Sequence, residues 1–177
     1  MTNAELAILS LVGESPRHGY EIEQIIEARG MREWTEIGFS SIYYLLKKLE
    51  KADLVESDLV PVLGRGKARR VYRITESGRE SLLASTLEAL SCPQQTFPAV
   101  LLGIANLPIL NGNQAQNALV SYLVEVEARL AHVTEKAETQ SPLPEHVQYL
   151  FDYSLMLLEA EKNWVEKIIQ KMELKNG

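Results

Sequence analysis

Six bases fall within residues 61–79 (Arg65, Lys67, Arg69, Arg70, Arg73 and Arg79), against a single acid, Glu76. Guanidinium and ammonium groups crowded this way suit phosphate oxygens, which accept charge-assisted hydrogen bonds. Upstream, Ser40, Tyr44, Lys47 and Lys51 recur at helical spacing, flanked by Tyr43 and Lys48, and Ser40 or Ser41 can cap the helix that carries them. At about 100° per residue they share one stripe, with no carboxylate along its centre. Hydroxyls donate and accept while ammonium groups donate, which is the chemistry that reads base edges and grips phosphate. A solvated helix face ordinarily mixes charge signs, and this one does not. Tyr43 could equally be a half-buried packing residue. Arg17 and His18 precede a helix start, where free N–H groups favour an anion, although turn structure explains His18 as well.

These side chains need a scaffold. Thr2 and Glu5 form a capping box before Leu6, Leu9 and Val12. A second helix begins near His18-Gly19-Tyr20, carries Ile22, Ile25 and Ile26 at i, i+3, i+4, and closes at Gly30. The third spans 39–52, and its stripe of Ile42, Leu45, Leu46 and Leu49 faces a core opposite the hydroxyl-and-lysine face. Residues 54–60 and 70–74 read as two strands. The 61–69 segment between them contains Gly64 and Gly66, which permit a tight reversal. Thr75 caps a fourth helix, but Gly78 stands where a capping box would place its acid. Three helices followed by a basic hairpin are the parts of a winged helix-turn-helix, whose third helix can enter the major groove. The wing would then touch adjacent phosphates or the minor groove.

The net charge of −6 conceals an asymmetry. Residues 1–85 hold 12 bases and 13 acids, while residues 86–177 hold 6 and 11. A local patch rather than the mean charge decides phosphate binding. The 46% hydrophobic content supports a globular core and argues against disorder. No apolar run is long enough for a membrane span, and the first residues lack the basic start of a signal peptide, so a cytoplasmic location is expected. One cysteine, Cys92, precludes an internal disulfide and a cysteine zinc site. The three histidines show no HExxH spacing, and GxSxG, Walker A and dinucleotide glycine patterns are missing. The expectation is a chain that is not an enzyme, with no catalytic residues, metal or cofactor.

Residues 4 to about 83 resemble the PadR-type transcriptional regulators. The resemblance is carried by Leu6-Ala7-Ile8-Leu9-Ser10-Leu11, His18-Gly19-Tyr20-Glu21-Ile22, Ser41-Ile42-Tyr43, Leu46-Lys47-Lys48-Leu49-Glu50-Lys51 and the run from Arg69 to Arg79. The order and spacing of these stretches together make it specific. Farther on, Glu159-Ala160-Glu161-Lys162-Asn163-Trp164 is similar to the helical C-terminal domain of the longer members. Such a resemblance implies a dimeric bacterial repressor, in some members released by small aromatic effectors. Two positions depart from the family pattern. Tyr44 stands where Pro is frequent, and Asp53 where a Gly usually follows the recognition helix. Asp tolerates a left-handed conformation at modest cost. Tyr44 adds a polar aromatic to the outward face, so base preferences do not transfer directly from relatives.

Ser91-Cys92-Pro93-Gln94-Gln95 reads as a linker, dividing residues 1–90 from 91–177. A short helix should open at Pro98 and end before Pro108, and Asn113 can cap the helix after it. Helices over 114–139 and 145–173 carry Leu119, Leu123, Val126 and Leu130, then Leu157, Trp164 and Ile168, as an expected dimerisation surface. Tyr122, Phe151 and Trp164 are candidates for an aromatic effector pocket, although plain core or dimer packing also accounts for them.

The expected architecture is mainly α with a small β-hairpin: an N-terminal winged helix-turn-helix and a C-terminal helical dimerisation domain. The expected function is sequence-specific DNA binding by a homodimeric repressor on a palindromic duplex operator, with affinity altered by a small aromatic effector. The DNA-contact set is His18, Ser40, Ser41, Tyr43, Tyr44, Lys47, Lys48, Arg65, Lys67 and Arg69. The alternative is a winged-helix module that binds protein rather than DNA, for which the net acidity argues.

Overall fold

The outward and inward faces anticipated for the third helix are both present in the chain's structure, a computed structural model. It describes every residue except Trp34, Phe39, Ser40, 62–67, Gln140, Ser141 and Gly177, and the side chains of Glu33, Lys175 and Asn176. Of the expected contact set, Ser40, Arg65 and Lys67 therefore lie outside the described residues. The chain divides into two units, Met1–Gln95 and Thr96–Gly177.

The first unit runs α1 (Asn3–Glu14), β1 (Arg17–His18), α2 (Gly19–Ala28), α3 (Ser41–Lys51), β2 (Val55–Val60), β3 (Arg69–Ile74) and α4 (Glu76–Ser91). The expected capping box starts α1: the Thr2 hydroxyl accepts the Glu5 N–H, and the Glu5 carboxylate accepts the Thr2 N–H. Ile8, Leu9, Leu11 and Val12 from α1, Ile22 and Ile26 from α2, and Ile42, Leu45, Leu46 and Leu49 from α3 close one core. Burying each such side chain is worth roughly 1.5–3 kcal/mol, enough to hold helices too short to persist alone.

The β-structure is larger than the hairpin expected. β1 adds to the far edge of β3, giving an antiparallel sheet in the order β1-β3-β2. Arg17 pairs with Tyr72 and His18 with Val71, while Val55 pairs with Ile74 and Val60 with Arg69. Tyr72 and Ile74 turn into the core, and exposed Arg69 and Arg70 begin the strand at its hairpin end.

Asp53 takes a left-handed φ of 59° after α3, as its sequence position suggested. Its carbonyl accepts the Thr75 and Ser77 hydroxyls at 2.7 and 2.6 Å, tying the end of α3 to the start of α4. Gly78 explains the missing capping-box acid. A Cβ there would lie 2.0 Å from the Leu54 carbonyl oxygen, so any side chain would drive α4 off the core. Farther along α4, Leu82 packs on the core, whereas Leu83, Leu87 and Leu90 are exposed.

The second unit contains α5 (Ala99–Ala105), α6 (Gly112–Thr139) and α7 (Glu145–Asn176). Pro98 is the cap of α5 rather than its first residue, and Pro108 sits inside the 3-10 turn Leu107–Ile109, just beyond that helix. Asn111, not Asn113, caps α6: its side-chain oxygen accepts the Gln114 N–H at 2.9 Å, and Gln114 returns a bond at 3.1 Å. At 1.5 Å per residue α6 and α7 are each about 40–50 Å long. They run antiparallel, since Gln116 reaches Glu173 while Glu127 meets Lys162 farther back along α7. Buried Leu119, Val126 and Val133 recur on α6, and Phe151, Leu158, Val165 and Ile169 on α7, near the 3.5-residue repeat of a coiled coil. Among the described residues, no helix is long and apolar enough to cross a membrane.

Candidate nucleic-acid interface

The first turn of α2, the outer face of α3 and the start of β3 enclose a cleft of about 450 Å³. Four members of the expected contact set meet there: His18, Tyr43, Lys47 and Arg69. Gly19, Tyr20, Arg70 and Tyr72 complete its lining, so three cations and three phenol rings face one space, with no carboxylate among the lining residues.

His18 does two jobs. Its Nδ1 accepts the Glu21 N–H at 3.2 Å, and Glu21 Oε2 accepts the His18 N–H at 3.0 Å, which caps α2. With the Nδ1 lone pair used in this way, Nε2 carries hydrogen in the neutral ring. Nε2 lies 3.5 Å from Glu21 Oε1 and 3.1 Å from Arg69 Nη1. A guanidinium only donates, so the close histidine–arginine contact sets two donors side by side. An oxygen anion is the group that complements such a pair. The Tyr20 ring stacks on His18 at a centroid distance of 6.3 Å.

Arg70 is held from behind. Its Nη1 donates to Ser57 Oγ at 2.8 Å and approaches Glu50 Oε1 at 3.7 Å, while the Ser57 hydroxyl donates to Glu50. This chain links α3 to β2 and β3, fixing the base of the hairpin against the helix it accompanies.

The remaining expected residues divide. Tyr44 projects outward, 66% exposed. Ser41 is half-buried at the start of α3 and donates its N–H to the Gly38 carbonyl at 3.0 Å. Lys48 turns toward α1, where Nζ lies 2.5 Å from Glu5 Oε1. The Lys48 hydrogen bond, followed by the Thr2 N–H, holds the Glu5 carboxyl below the usual carboxylate range; the same bond raises the Lys48 ammonium. Lys48 is thus engaged inside the unit. Arg17 also faces away from the cleft, donating Nε to the Leu11 carbonyl and Nη2 to Glu14, both at 2.9 Å. Arg29 grips the same carboxylate at 2.6 and 2.9 Å, and its hydrogen bonds depress the Glu14 carboxyl.

Sequence reasoning missed Gly19, Tyr20 and Tyr72 as cleft residues and counted Arg70 only as part of the basic run. The signal for Tyr20 and Gly19 was their adjacency to His18. Tyr72 carried none, since a strand tyrosine with alternating neighbours looks like core.

In the second unit, Leu119 and Val126 are buried between α6 and α7 of one chain. Leu123, Leu130, Trp164 and Ile168 are half-buried, and Leu157 is 52% exposed beside Tyr153 and Met156. Tyr122 and Trp164 pack on the cluster of Leu119, Val165 and Ile169. The Tyr122 hydroxyl donates to Glu161; burial first, then that bond, pushes the phenol up to about 12. Phe151 is buried about 20 Å along α7 from Trp164 at 1.5 Å per residue, so the three effector candidates do not share one small pocket.

Comparison with known proteins places these elements in context. The model of the transcriptional regulator PadR-like family matches residues 8–84. An uncharacterized protein of Lysinibacillus sphaericus is 37% identical over 75 residues, covering 42% of this chain and 67% of the relative. The structure of Bacillus subtilis PadR in complex with operator DNA superposes with a TM-score of 0.79 at 20% identity, over 95% of this chain and 98% of that one. The structure of the same protein with p-coumaric acid gives 0.75 at 21%, over 96% and 98%. At such identities the likeness concerns the fold.

Proposed function

The chain belongs to the transcriptional regulator PadR-like family, and on that premise we propose that it binds a palindromic duplex operator as a homodimeric repressor in the bacterial cytoplasm. The observation that carries this reading is the cleft in which His18, Tyr43, Lys47 and Arg69 converge beside the outward face of α3. Donors gathered in a cleft whose lining includes no carboxylate suit a polyanion, which would compete with Glu21 for His18, and an exposed helix flanked by cations suits a major groove. The operator DNA bound by Bacillus subtilis PadR supports the same assignment. In the sequence, Arg65 and Lys67 continue the cationic run that includes Arg69 and Arg70, and they would add phosphate contacts.

Two copies would join through apolar side chains that one chain leaves uncovered, Leu157 and Met156 on α7 and Val120 and Val124 on α6 among them. A symmetric pair then reads two half-sites about 10 base pairs apart or a multiple of that. A small aromatic effector would be held near Tyr122 and Trp164, where rings and a phenol–carboxylate pair adjoin; the p-coumaric acid bound by Bacillus subtilis PadR supports that class of ligand.

Selection of bound sequences from a random duplex pool, followed by a salt titration of the recovered site, tests the reading. It expects a two-fold-symmetric consensus and an affinity that falls steeply with salt. Absence of any salt-dependent duplex binding would refute it and favour a protein partner.

A further inference from the structure

We propose that Gly19 is a positioning residue of the DNA face: lacking a side chain, it seats the Tyr43 ring on the first turn of α2 and fixes where that phenol meets a duplex. The inference rests on the DNA-binding reading above and assigns a role to a residue that reading does not use. A Cβ built on Gly19 would lie 2.5 Å from Tyr43 Cε1, 3.0 Å from Cζ and 3.1 Å from Cδ1. All three are ring atoms, so the tyrosine lies against the glycine backbone at a distance no other residue permits.

Backbone freedom does not explain the glycine. Among the described residues, the glycine with a left-handed φ is Gly30, at 60°, whereas Gly19 has ordinary φ and opens a helix. Gly19 is the first residue of α2, outside the helix interior where glycine is penalised, so helix propensity does not decide the position. The neighbour that leaves no room for a side chain is Tyr43.

Nor is the ring a plug for the core. Tyr43 is 47% exposed and lines the cleft with Lys47, which lies one turn later on α3. A tyrosine restrained on one face gives a rigid contact at low entropic cost. With a methyl group at position 19 the ring must leave this seat, and the cleft it lines with His18 and Lys47 is the space assigned to the duplex.

The test is a double-mutant cycle between Gly19→Ala and Tyr43→Ala, read by binding of the full-length protein to its selected duplex and by denaturant unfolding. Gly19→Ala should leave unfolding unchanged or slightly more resistant, while weakening binding about fivefold or more, the low end for a lost specific contact. In the Tyr43→Ala background, where no ring remains to displace, the same change should leave affinity unaltered. A single variant that binds as tightly as wild type overturns the proposal, as does an equal loss in both backgrounds. Should Gly19→Ala fail to fold, the double variant must fold; if it too fails, the glycine serves the backbone and the proposal falls. The Gly19 α-proton that points along the missing Cβ provides a reading without DNA, because its ring-current shift in the free protein should vanish in Tyr43→Ala. That shift persisting unchanged also overturns the proposal. A wild-type protein that binds no duplex but shows the shift identifies the DNA reading, not the ring's seat, as the error, and with it the role in DNA contact is refuted.

Discussion

Lys47 and Lys48 are adjacent lysines on α3 that stand in different surroundings. Lys47 lines the cleft beside Arg69, whereas the Lys48 ammonium is held 2.5 Å from the buried carboxylate of Glu5. Replacing Lys47 by alanine removes a donor from the cleft proposed to meet DNA. If it reads a base, the loss is about 1–3 kcal/mol, or about 5- to 160-fold in affinity, similar at every salt concentration. If it grips a phosphate, the slope of log affinity against log salt flattens by about 0.9. Between 50 and 200 mM salt that slope change alters the wild-type-to-variant ratio about 3.5-fold. Replacing Lys48 should weaken binding less than replacing Lys47 at every salt, because its charge is already neutralised by α1. Fluorescence anisotropy on the selected duplex, repeated over a salt series, separates these cases. An equal loss of affinity in Lys48→Ala and Lys47→Ala would contradict this division of the two lysines, as would a Lys47→Ala variant with unchanged affinity and slope.

The same contacts set three further outcomes. His18→Asn keeps a side-chain oxygen that can cap α2, while His18→Ala loses the cap at about 1 kcal/mol; both remove Nε2 from the cleft, so both should weaken duplex binding and only alanine should lower the unfolding midpoint. Glu5 and Glu14 have carboxyls held below their unfolded values, so they contribute stability above the ordinary glutamate range of about 4.3 that is lost as pH falls through their folded values. Glu5→Gln, which can retain the capping box, should flatten that acid-side decline in urea melts. Tyr122 titrates at about 12, above its unfolded value near 10, so its contribution is complete below pH about 10 and disappears as pH rises toward 12. Ultraviolet titration should show a late phenol that is missing in Tyr122→Phe.

The helices were legible because their signals are periodic and local. The Ile42-Leu45-Leu46-Leu49 stripe lies wholly in the core, and the Thr2–Glu5 box starts α1 as its residue types require. β1 left no such trace: two residues have no period, and their pairing is decided by Tyr72 and Val71 far along the chain. The fate of Lys48 was equally hidden, since its partner Glu5 is a cap residue on another helix. The same holds for Gly78, whose necessity arises from the Leu54 carbonyl. The apolar repeat on α6 and α7 did announce a helical pair, but periodicity alone could not say which stripe the chain covers itself. Leu119 and Val126 face inward, while Leu157 stays exposed. At the candidate site, residue type predicted which side chains can hold phosphate, and only tertiary geometry selected those that converge.

Backbone amide shifts of the protein, recorded with and without the selected duplex, decide whether the cleft of the first unit is where DNA binds. The largest changes are expected at His18, Gly19, Tyr43, Lys47 and Arg69. Changes confined to residues 96–177, with the cleft unperturbed, would contradict that placement.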